Sequence, residues 1–384
     1  MRYWKTIYSR LLVLALIMLI CLTGCKSGKK NLGADDDKGK DEKNKITEVG
    51  NENSDEDDTE GSDGKKTTEA ANNENTERNA YTLAGKSPVY DRSLTEGKMA
   101  MYFISSIGSF EYCGRRLYYG DSTLIIAPDG TTMLIDLQNP GLGSTVVATL
   151  DALGIDTIDY LVITHPHVDH LGGFKAVLRN KTVKQVYNNA ATYTGMYGYQ
   201  ALYDELKEKQ IPIKTLYEGD KFSFGGIEAE VFWPGADYEH SNTDGINMNN
   251  GSLAIKFTYG KSSFLACGDL HVESETAIIE KYGSRIQADV HKINHHANTT
   301  SSCNEWVKMV SPKIAIREGD PNGDEKVMGR FAINGSIVLA TGMNGTIAVW
   351  TSGDGKYDVQ VEVEQYHDYT KLPDNVKDGH FVVK

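Results

Sequence analysis

Three histidines and one aspartate occur within six residues, directly after an apolar stretch of the chain. The segment is Thr164-His165-Pro166-His167-Val168-Asp169-His170, and it follows a predicted buried strand over 160–164. Pro166 disfavours a helix here, so the segment predicts a loop at a strand end. Imidazole and carboxylate groups suit Zn²⁺ or a similar divalent ion, and one loop can turn them into one cleft. The pattern therefore predicts a metal site and not an ordinary histidine-containing loop.

Predicted strands and helices alternate along the rest of the chain. The Gly172-Gly173 pair permits a tight return from the histidine loop into the next helix. Mixed strands with helices on the outside predict a layered α/β domain. Apolar patterning predicts strands over 101–107, 122–127, 132–137, 160–164, 183–187, 221–233, 252–259, 262–267, 289–293, 314–316, 337–340, 346–351 and 357–363, and helices over 145–153, 174–179, 200–209, 273–281 and 305–310.

The N-terminus has the pattern of a secretion signal. Three basic residues precede an apolar run over 11–22, which is too short for a comfortable membrane span. The following Leu22-Thr23-Gly24-Cys25 resembles a bacterial lipobox, whose Cys is acylated and becomes the mature N-terminus. The sequence therefore predicts a signal peptide over 1–25 and a protein lipid-anchored through Cys25 at the extracellular face of the cell membrane. An uncleaved signal anchor is disfavoured because the apolar run stops at the Gly-Cys pair and Lys26 follows at once.

Composition separates a linker from a domain. Residues 26–80 contain 10 Lys/Arg and 16 Asp/Glu with few large apolar residues, which predicts a disordered acidic linker. Residues 81–384 form the predicted domain, whose formal charge of −10 disfavours a large basic groove for duplex nucleic acid. The domain has no CxxC pair, so neither a zinc ribbon nor a disulfide framework is predicted. A single disulfide among three cysteines stays open: Cys113, Cys267 and Cys303.

Three segments, in the same order, resemble the metallo-β-lactamase superfamily. The first is the histidine loop. The second is the strand that ends in Gly268-Asp269, where this superfamily has an Asp that bridges two metals. The third is 289–296, which resembles a later strand ending in a liganding His. The resemblance covers about residues 100–350 and implies an α/β fold, the αββα sandwich of this superfamily.

Two further features narrow the resemblance to one branch. They are Asn249-Asn250-Gly251-Ser252-Leu253 and the pair His295-His296 followed by Thr299-Thr300-Ser301. This branch contains the hydrolase domain of the DNA-uptake competence protein ComEC and the pneumococcal phosphorylcholine esterase. Departures from the pattern are Ala297, where the branch often has Gly, and a missing middle histidine. Only His240, in a polar loop, is available for that place.

The resemblance implies a centre of two divalent ions, Zn²⁺ or Mn²⁺, with a nucleophilic hydroxide between them. It assigns His165 and His167 to the first ion. Spacing leaves open which of His295 and His296 is a ligand, whereas the resemblance favours His296 and gives His295 a contact with the leaving group or the transition state. The full predicted ligand set is His165, His167, Asp169, His170, Asp269 and His296, and the predicted catalytic residues are Asp169 and His295.

Residues with supporting roles are also predicted. Asn249, Asn250 and Ser252 are interpreted as substrate contacts or supports of the ligands, with a plain turn between strands as the alternative for the two asparagines. Asp136 follows a predicted strand, where this superfamily often has a structural Asp near the metals, and His271 lies two residues after Asp269, from where it could reach the rim of the cleft. A tyrosine cluster could form a choline box, a stacking surface for bases or ordinary packing: Tyr187, Tyr193, Tyr197, Tyr199 and Tyr203.

Three functions compete at this point. The first is a tethered phosphodiesterase that acts on wall polymers, phosphorylcholine or DNA. The second is a β-lactamase or lactonase, which the Asn-Ser and His-His segments disfavour. The third is a binding lipoprotein on a degenerate hydrolase fold, which predicts missing ligands. Because the predicted ligand set is intact, the phosphodiesterase is favoured, and no protein partner can be inferred.

Overall fold

Apolar strands build two mixed β-sheets in the part of the chain that the structure describes. The computed structural model describes residues 87–108, 110–112, 115–117, 120–194, 198–319 and 324–384. The predicted signal peptide, its Cys25 and the predicted linker lie outside these residues, as do Cys113 and Tyr197.

The strands are, in chain order, β1 (Met99–Phe103), β2 (Phe110–Tyr112), β3 (Arg115–Leu117), β4 (Thr123–Ile126), β5 (Thr132–Ile135), β6 (Thr157–Val162), β7 (Thr182–Asn188), β8 (Ile213–Thr215), β9 (Lys221–Phe224), β10 (Ile227–Trp233), β11 (Ala254–Tyr259), β12 (Ser262–Ala266), β13 (Val290–Lys292), β14 (Ile314–Arg317), β15 (Ile337–Ala340), β16 (Ile347–Thr351), β17 (Tyr357–Val361) and β18 (His380–Val383). The helices are α1 (Gly143–Ala152), α2 (Val168–Leu171), α3 (Phe174–Asn180), α4 (Tyr199–Glu208), α5 (Gly245–Asn250), α6 (Val272–Tyr282), α7 (Asn304–Val310), α8 (Glu325–Ile333) and α9 (Thr341–Asn344). Short 3-10 turns occur at Pro88–Tyr90, Arg92–Leu94, Gly283–Ile286 and Asn294–Ala297.

The two sheets face each other across the central core. One has nine strands in the order β18-β17-β16-β1-β4-β5-β6-β7-β8, and the other seven in the order β15-β14-β13-β12-β11-β10-β9. Buried apolar side chains alternate along the strands, and Phe103 of one sheet packs edge-to-face on Phe264 of the other at 5.5 Å.

Helices cover both outer faces of this pair of sheets. Val146 and Val177, on α1 and α3, bury apolar side chains against the nine-stranded sheet. Ile278 and Trp306, on α6 and α7, pack on the seven-stranded sheet. These four layers confirm the predicted αββα sandwich.

Parallel strands bring the chemistry-bearing loops to one edge. Strands β5 to β8 run parallel in one sheet, and β12 to β15 run parallel in the other. The histidine loop follows β6, Asp136 follows β5, Asp269 follows β12 and His296 follows β13. Because carboxyl ends of parallel strands lie at the same edge of a sheet, residues far apart in sequence meet there.

Some predicted elements were wrong in extent or type. The predicted strand 221–233 is the hairpin β9–β10, whose turn Gly225-Gly226 has φ of +52° and +87°. The predicted strand 289–293 ends at Lys292, so His295 and His296 lie in a turn and not in a strand. The Asn249-Asn250 pair lies in the short helix α5, and α8 was not predicted.

Among the described residues, none of the helices is both long and apolar enough to span a bilayer.

Buried His291 predicts a pH-dependent stability. Its Nδ1 donates to the carbonyl of Leu265 and its Nε2 accepts from Trp306 Nε1, each at 3.1 Å. Burial disfavours the charged imidazolium and lowers the pKa of His291 to about 3, from 6.5. The unfolded chain therefore takes up a proton more readily. The neutral His291 ring therefore contributes to the free energy of unfolding. This contribution is complete above about pH 6.5 and is lost as the pH falls toward 3, with about 2 kcal/mol lost by pH 5.

This effect can be measured by urea unfolding at pH 7.5 and pH 5 for the wild type and His291→Gln. The variant is expected to be less stable at pH 7.5, but to lose about 2 kcal/mol less than the wild type on going to pH 5. Equal losses in the two proteins would contradict the assignment, because every other titrating group is common to both.

Candidate metal centre

Four ligand atoms converge where the two sheets meet at their common edge. Asp169, His170, Asp269 and His296 each offer one ligand atom within 4.8 Å of the others, and all four residues are buried. Asp269 Oδ2 is 3.1 Å from His170 Nε2 and 3.2 Å from His296 Nε2. Asp169 Oδ2 is 3.0 Å from His296 Nε2 and 3.9 Å from His170 Nε2.

A second pair of donors, His165 and His167, lies beside the first group and close to the same carboxylate. His165 Nε2 is 3.0 Å from His167 Nδ1 and 3.9 Å from Asp269 Oδ2. The same carboxylate oxygen thus faces both groups of donors. The structure brings the six predicted ligands to one place, and Asp269 Oδ2 lies within 3.9 Å of nitrogens from His165, His170 and His296.

These separations fit tetrahedral coordination of an ion such as Zn²⁺. Ligands at about 2.0–2.1 Å from a tetrahedral ion are about 3.3 Å apart, close to the distances in the first group. His170 Nε2 is buried and makes no hydrogen bond, although Asp269 Oδ2 lies 3.1 Å away, so its lone pair is available to an ion. The donor set of imidazole and carboxylate therefore fits a divalent metal.

Carboxylates behind His170 orient its ring and set the local charge. Asp136 Oδ2 lies 2.8 Å from His170 Nδ1, which leaves Nε2 toward the centre, and also accepts from Thr164 Oγ1 at 2.7 Å. Burial alone would lower the pKa of His170, but Asp269, Asp121 and Asp136 raise it well above the usual value. A place that favours a proton so strongly also favours a metal cation.

Sequence reasoning missed a buried lysine and its partners. Lys292, at the end of β13, pairs with Asp121, lies 3.4 Å from Asp269 Oδ1 and donates to the carbonyl of Gly268 at 2.9 Å. Asp121 and Asp269 outweigh burial and raise the pKa of Lys292. Glu318, also buried, accepts from Ser122 N at 3.1 Å. A lysine inside a predicted apolar strand was the available signal, since such a cation needs acidic partners.

Asn249, Ser252 and Asn250, which were predicted to support the site, make different contacts. Asn249 Nδ2 lies 3.1 Å from His271 Nε2 and 3.4 Å from His295 Nε2. The rings of His271 and His295 stack at 4.6 Å. Ser252 Oγ accepts from the backbone N–H of Asp269 at 3.1 Å, whereas Asn250 Oδ1 accepts from the backbone of His271 and so links α5 to α6. Asn249 and Ser252 therefore face the centre.

Three consecutive residues in the late histidine turn have left-handed backbone. The φ values of His295, His296 and Ala297 are +47°, +51° and +61°. Each such non-glycine residue costs roughly 1–2 kcal/mol, so the surroundings must hold the turn. His296 is buried between Asp169 and Asp269, while the side chain of His295 is 19% exposed with its Nε2 3.9 Å from Asp269 Oδ2.

Other predicted candidates lie outside the centre. His240 packs on Tyr238 at 4.8 Å and belongs to neither potential metal group found among the described residues. Tyr187 stacks on Tyr160, and Tyr199 pairs with Tyr203, so these tyrosines serve packing. The exception is Tyr193, whose ring lies 5.8 Å from that of His167 at the mouth of the site. Cys267 and Cys303 are free thiols.

The Gly172-Gly173 return is needed for close packing. Both residues have negative φ, but a Cβ on Gly173 would lie 2.1 Å from the carbonyl oxygen of Leu137 and 2.9 Å from Gly143 Cα. Gly173→Ala is therefore expected to destabilise the fold by about 1–3 kcal/mol or more in chemical unfolding.

Gly329, on α8, is the matched control for this substitution. A Cβ there meets no neighbour within 4 Å, so Gly329→Ala is expected to stabilise the protein by about 0.5–1 kcal/mol. A Gly173→Ala protein as stable as the wild type would contradict the close approach of the two backbones.

The fold and the site define a class of protein, and comparison with known families agrees. Residues 115–317 match the family described as the metallo-beta-lactamase superfamily, and the chain belongs to that superfamily. It is accordingly a metal-dependent hydrolase.

Three curated proteins illustrate its relatives. The chain is 29% identical to ComE operon protein 3 of Bacillus subtilis (strain 168) over 217 residues, which cover 55% of this chain and 27% of that protein. It is 28% identical to competence protein ComA of Neisseria gonorrhoeae over 210 residues, which cover 53% of this chain and 26% of that protein. It is 28% identical to exodeoxyribonuclease YycJ of Bacillus anthracis over 132 residues, which cover 34% of this chain and 48% of that protein. The chain thus spans about a quarter of the length of the first two relatives.

Proposed function

We propose that this protein is a phosphodiesterase that uses two divalent ions to cleave nucleic-acid phosphodiester bonds. The observation that carries the proposal is the closeness of Asp269 Oδ2 to nitrogens of both donor groups, at 3.9 Å from His165 Nε2, 3.1 Å from His170 Nε2 and 3.2 Å from His296 Nε2. Two divalent ions held by these residues would stabilise the attacking and leaving oxygens of a phosphoryl displacement. Similarity to two competence proteins and an exodeoxyribonuclease supports nucleic acid as the substrate class.

The expected ligands follow from the distances given above. His165, His167 and Asp269 would hold one ion, either Zn²⁺ or Mn²⁺. The second ion would be held by Asp169, His170, Asp269 and His296. When bound, the ions polarise a phosphoryl oxygen and neutralise the charge that develops during cleavage.

His295 is the proposed proton carrier of the reaction. Its Nδ1 lies 2.7 Å from Thr300 Oγ1, and donation by this hydroxyl to Asn298 Oδ1 favours the tautomer with the ring proton on Nδ1. Nε2 then has the lone pair that takes up a proton from the attacking water, and the resulting N–H returns the proton to the leaving oxygen. Asn249, 3.4 Å away, keeps this nitrogen facing the site. Burial lowers the pKa of His295 to about 4, which keeps the ring neutral at pH 7.

Replacing His295 with alanine is expected to lower kcat by about 10²–10⁴-fold while bound metal stays at the wild-type level. His296→Ala is the contrasting variant, because it removes a ligand and should lower metal content as well. Steady-state kinetics with metal analysis on the same samples distinguishes the two. A His295→Ala protein that keeps its activity within tenfold, or that loses metal, would contradict this role.

A substrate panel tests the proposed reaction. Purified protein with Zn²⁺ or Mn²⁺ is offered bis-p-nitrophenyl phosphate, single-stranded DNA, p-nitrophenylphosphorylcholine and nitrocefin, with Asp169→Ala as the inactive control. The first two substrates should be hydrolysed. Hydrolysis of the choline ester without DNA would move the substrate to wall polymers or phosphorylcholine. Turnover of nitrocefin alone would overturn the phosphodiesterase proposal.

We further propose that lipid on Cys25 anchors the protein at the extracellular face of the membrane. The lipobox-like Leu22-Thr23-Gly24-Cys25 after a basic and apolar segment supports this. Labelled fatty acid should be incorporated by the wild type and not by Cys25→Ala. Equal labelling of both proteins would sink the proposal.

A further inference from the structure

One buried carboxylate connects the segment that carries Asp269 to the turn that carries His296. Glu275 lies on α6, a few residues after Asp269, and its side chain is fully buried. Its Oε1 accepts from Asn294 Nδ2 at 2.7 Å and from the backbone N–H of Ser302 at 2.5 Å. Its Oε2 accepts from the backbone N–H of Cys303 at 3.0 Å. Glu275 therefore ties both ends of the 294–302 segment to α6.

This segment contains the left-handed turn of the metal centre. Between the two ends that Glu275 holds lie His295, His296 and Ala297, all with positive φ. Additional hydrogen bonds restrain the turn, since Arg317 Nε donates to the carbonyl of His296 at 2.7 Å and Ser301 Oγ to that of Asn294 at 2.8 Å. Without such restraints, non-glycine residues leave this backbone region.

We propose that Glu275 is a positioning residue, which holds the turn so that His296 Nε2 reaches the atoms of Asp169 and Asp269. The inference rests on the proposed two-ion function. It makes a selective prediction, because only one of the two ions depends on His296. The affinity for the ion held by His165 and His167 should not depend on Glu275, except through Asp269, which is a proposed ligand of both ions.

The test is metal titration of the purified full chain, with a chromophoric chelator in competition for Zn²⁺. Glu275→Gln keeps the size of the side chain, but its amide nitrogen cannot accept the hydrogen bond that Cys303 donates to Oε2. One of the two equivalents is expected to bind about 10–100-fold more weakly and the other to stay within about twofold of the wild type. Glu280→Gln, exposed on the same helix, is the matched control and should bind both ions as the wild type does.

A second substitution separates positioning from a merely structural role. Ala297→Gly removes the Cβ that disfavours positive φ, so the turn needs less restraint. In the Glu275→Gln background it should restore several-fold of the lost affinity, because the turn then holds its shape without the carboxylate. Thermal unfolding of each variant, followed by circular dichroism, shows whether the fold is retained.

The outcomes distinguish this inference from the function on which it rests. Two tightly bound ions in Glu275→Gln, or equal weakening of both without rescue by Ala297→Gly, would overturn the positioning role and leave the proposed function in place. A wild type that binds no divalent ion would overturn the proposed function, and this inference with it.

Discussion

Asp269→Ala is expected to lower kcat/KM for a phosphodiester by at least about 10³-fold, since lost metal removes several kcal/mol of transition-state stabilisation. The reason is geometric, because Asp269 Oδ2 lies 3.1–3.9 Å from nitrogens of His165, His170 and His296, which belong to both proposed ion sites. Metal analysis of the purified variant should show a deficit in both ions.

Asp204→Ala is the control for this variant. Asp204 is exposed on α4 and contacts only Gln200 among the hydrogen bonds of the described residues, so its loss should leave metal content and kcat/KM unchanged. An Asp269→Ala protein with both ions bound and wild-type kcat/KM would contradict the bridging position.

Lys292→Met is expected to lower the free energy of unfolding by about 3–5 kcal/mol. The side chain is buried, with its ammonium group paired to Asp121 and near Asp269, so methionine leaves these carboxylates without their cation. Urea unfolding at pH 7.5 measures the loss. Adding Asp121→Asn should recover part of it, because the double variant no longer buries that unpaired charge.

Lys184→Met is the matched control for burial. Lys184 pairs with Asp159 at 2.7 Å, but its side chain is 62% exposed, so the loss should stay below about 1 kcal/mol. If Lys292→Met costs no more than this surface variant, the buried pair does not have the structural role assigned here.

The sequence predicted those strands and loops whose form depends on residues that are close together along the chain. The strands β5, β12 and β15 begin where apolar alternation predicted them. The histidine loop was predicted because its donors are adjacent in sequence and follow a strand. Asp269 and His296 were predicted through family resemblance, and their convergence with the loop depends on the parallel register of the two sheets.

The sequence pattern did not predict the buried ion pairs, the left-handed turn or helix α5. Asp121, Lys292 and Glu318 come from three different elements, and only the assembled edge reveals their pairing. The left-handed turn at His295 and His296 was not predicted, because no glycine marks its positive φ values. Helix α5 is only six residues long and begins at the Asp244 cap, which is too short for an apolar periodicity to indicate it.

The central claim is a two-ion centre that cleaves phosphodiesters, and metal titration of activity tests it most directly. Protein stripped by a chelator is supplied with Zn²⁺ or Mn²⁺ in steps while hydrolysis of bis-p-nitrophenyl phosphate is followed. Activity is expected to be negligible at the start and to reach a plateau at two equivalents per chain. Full activity in excess chelator, or a plateau at one equivalent with no further binding, would contradict it.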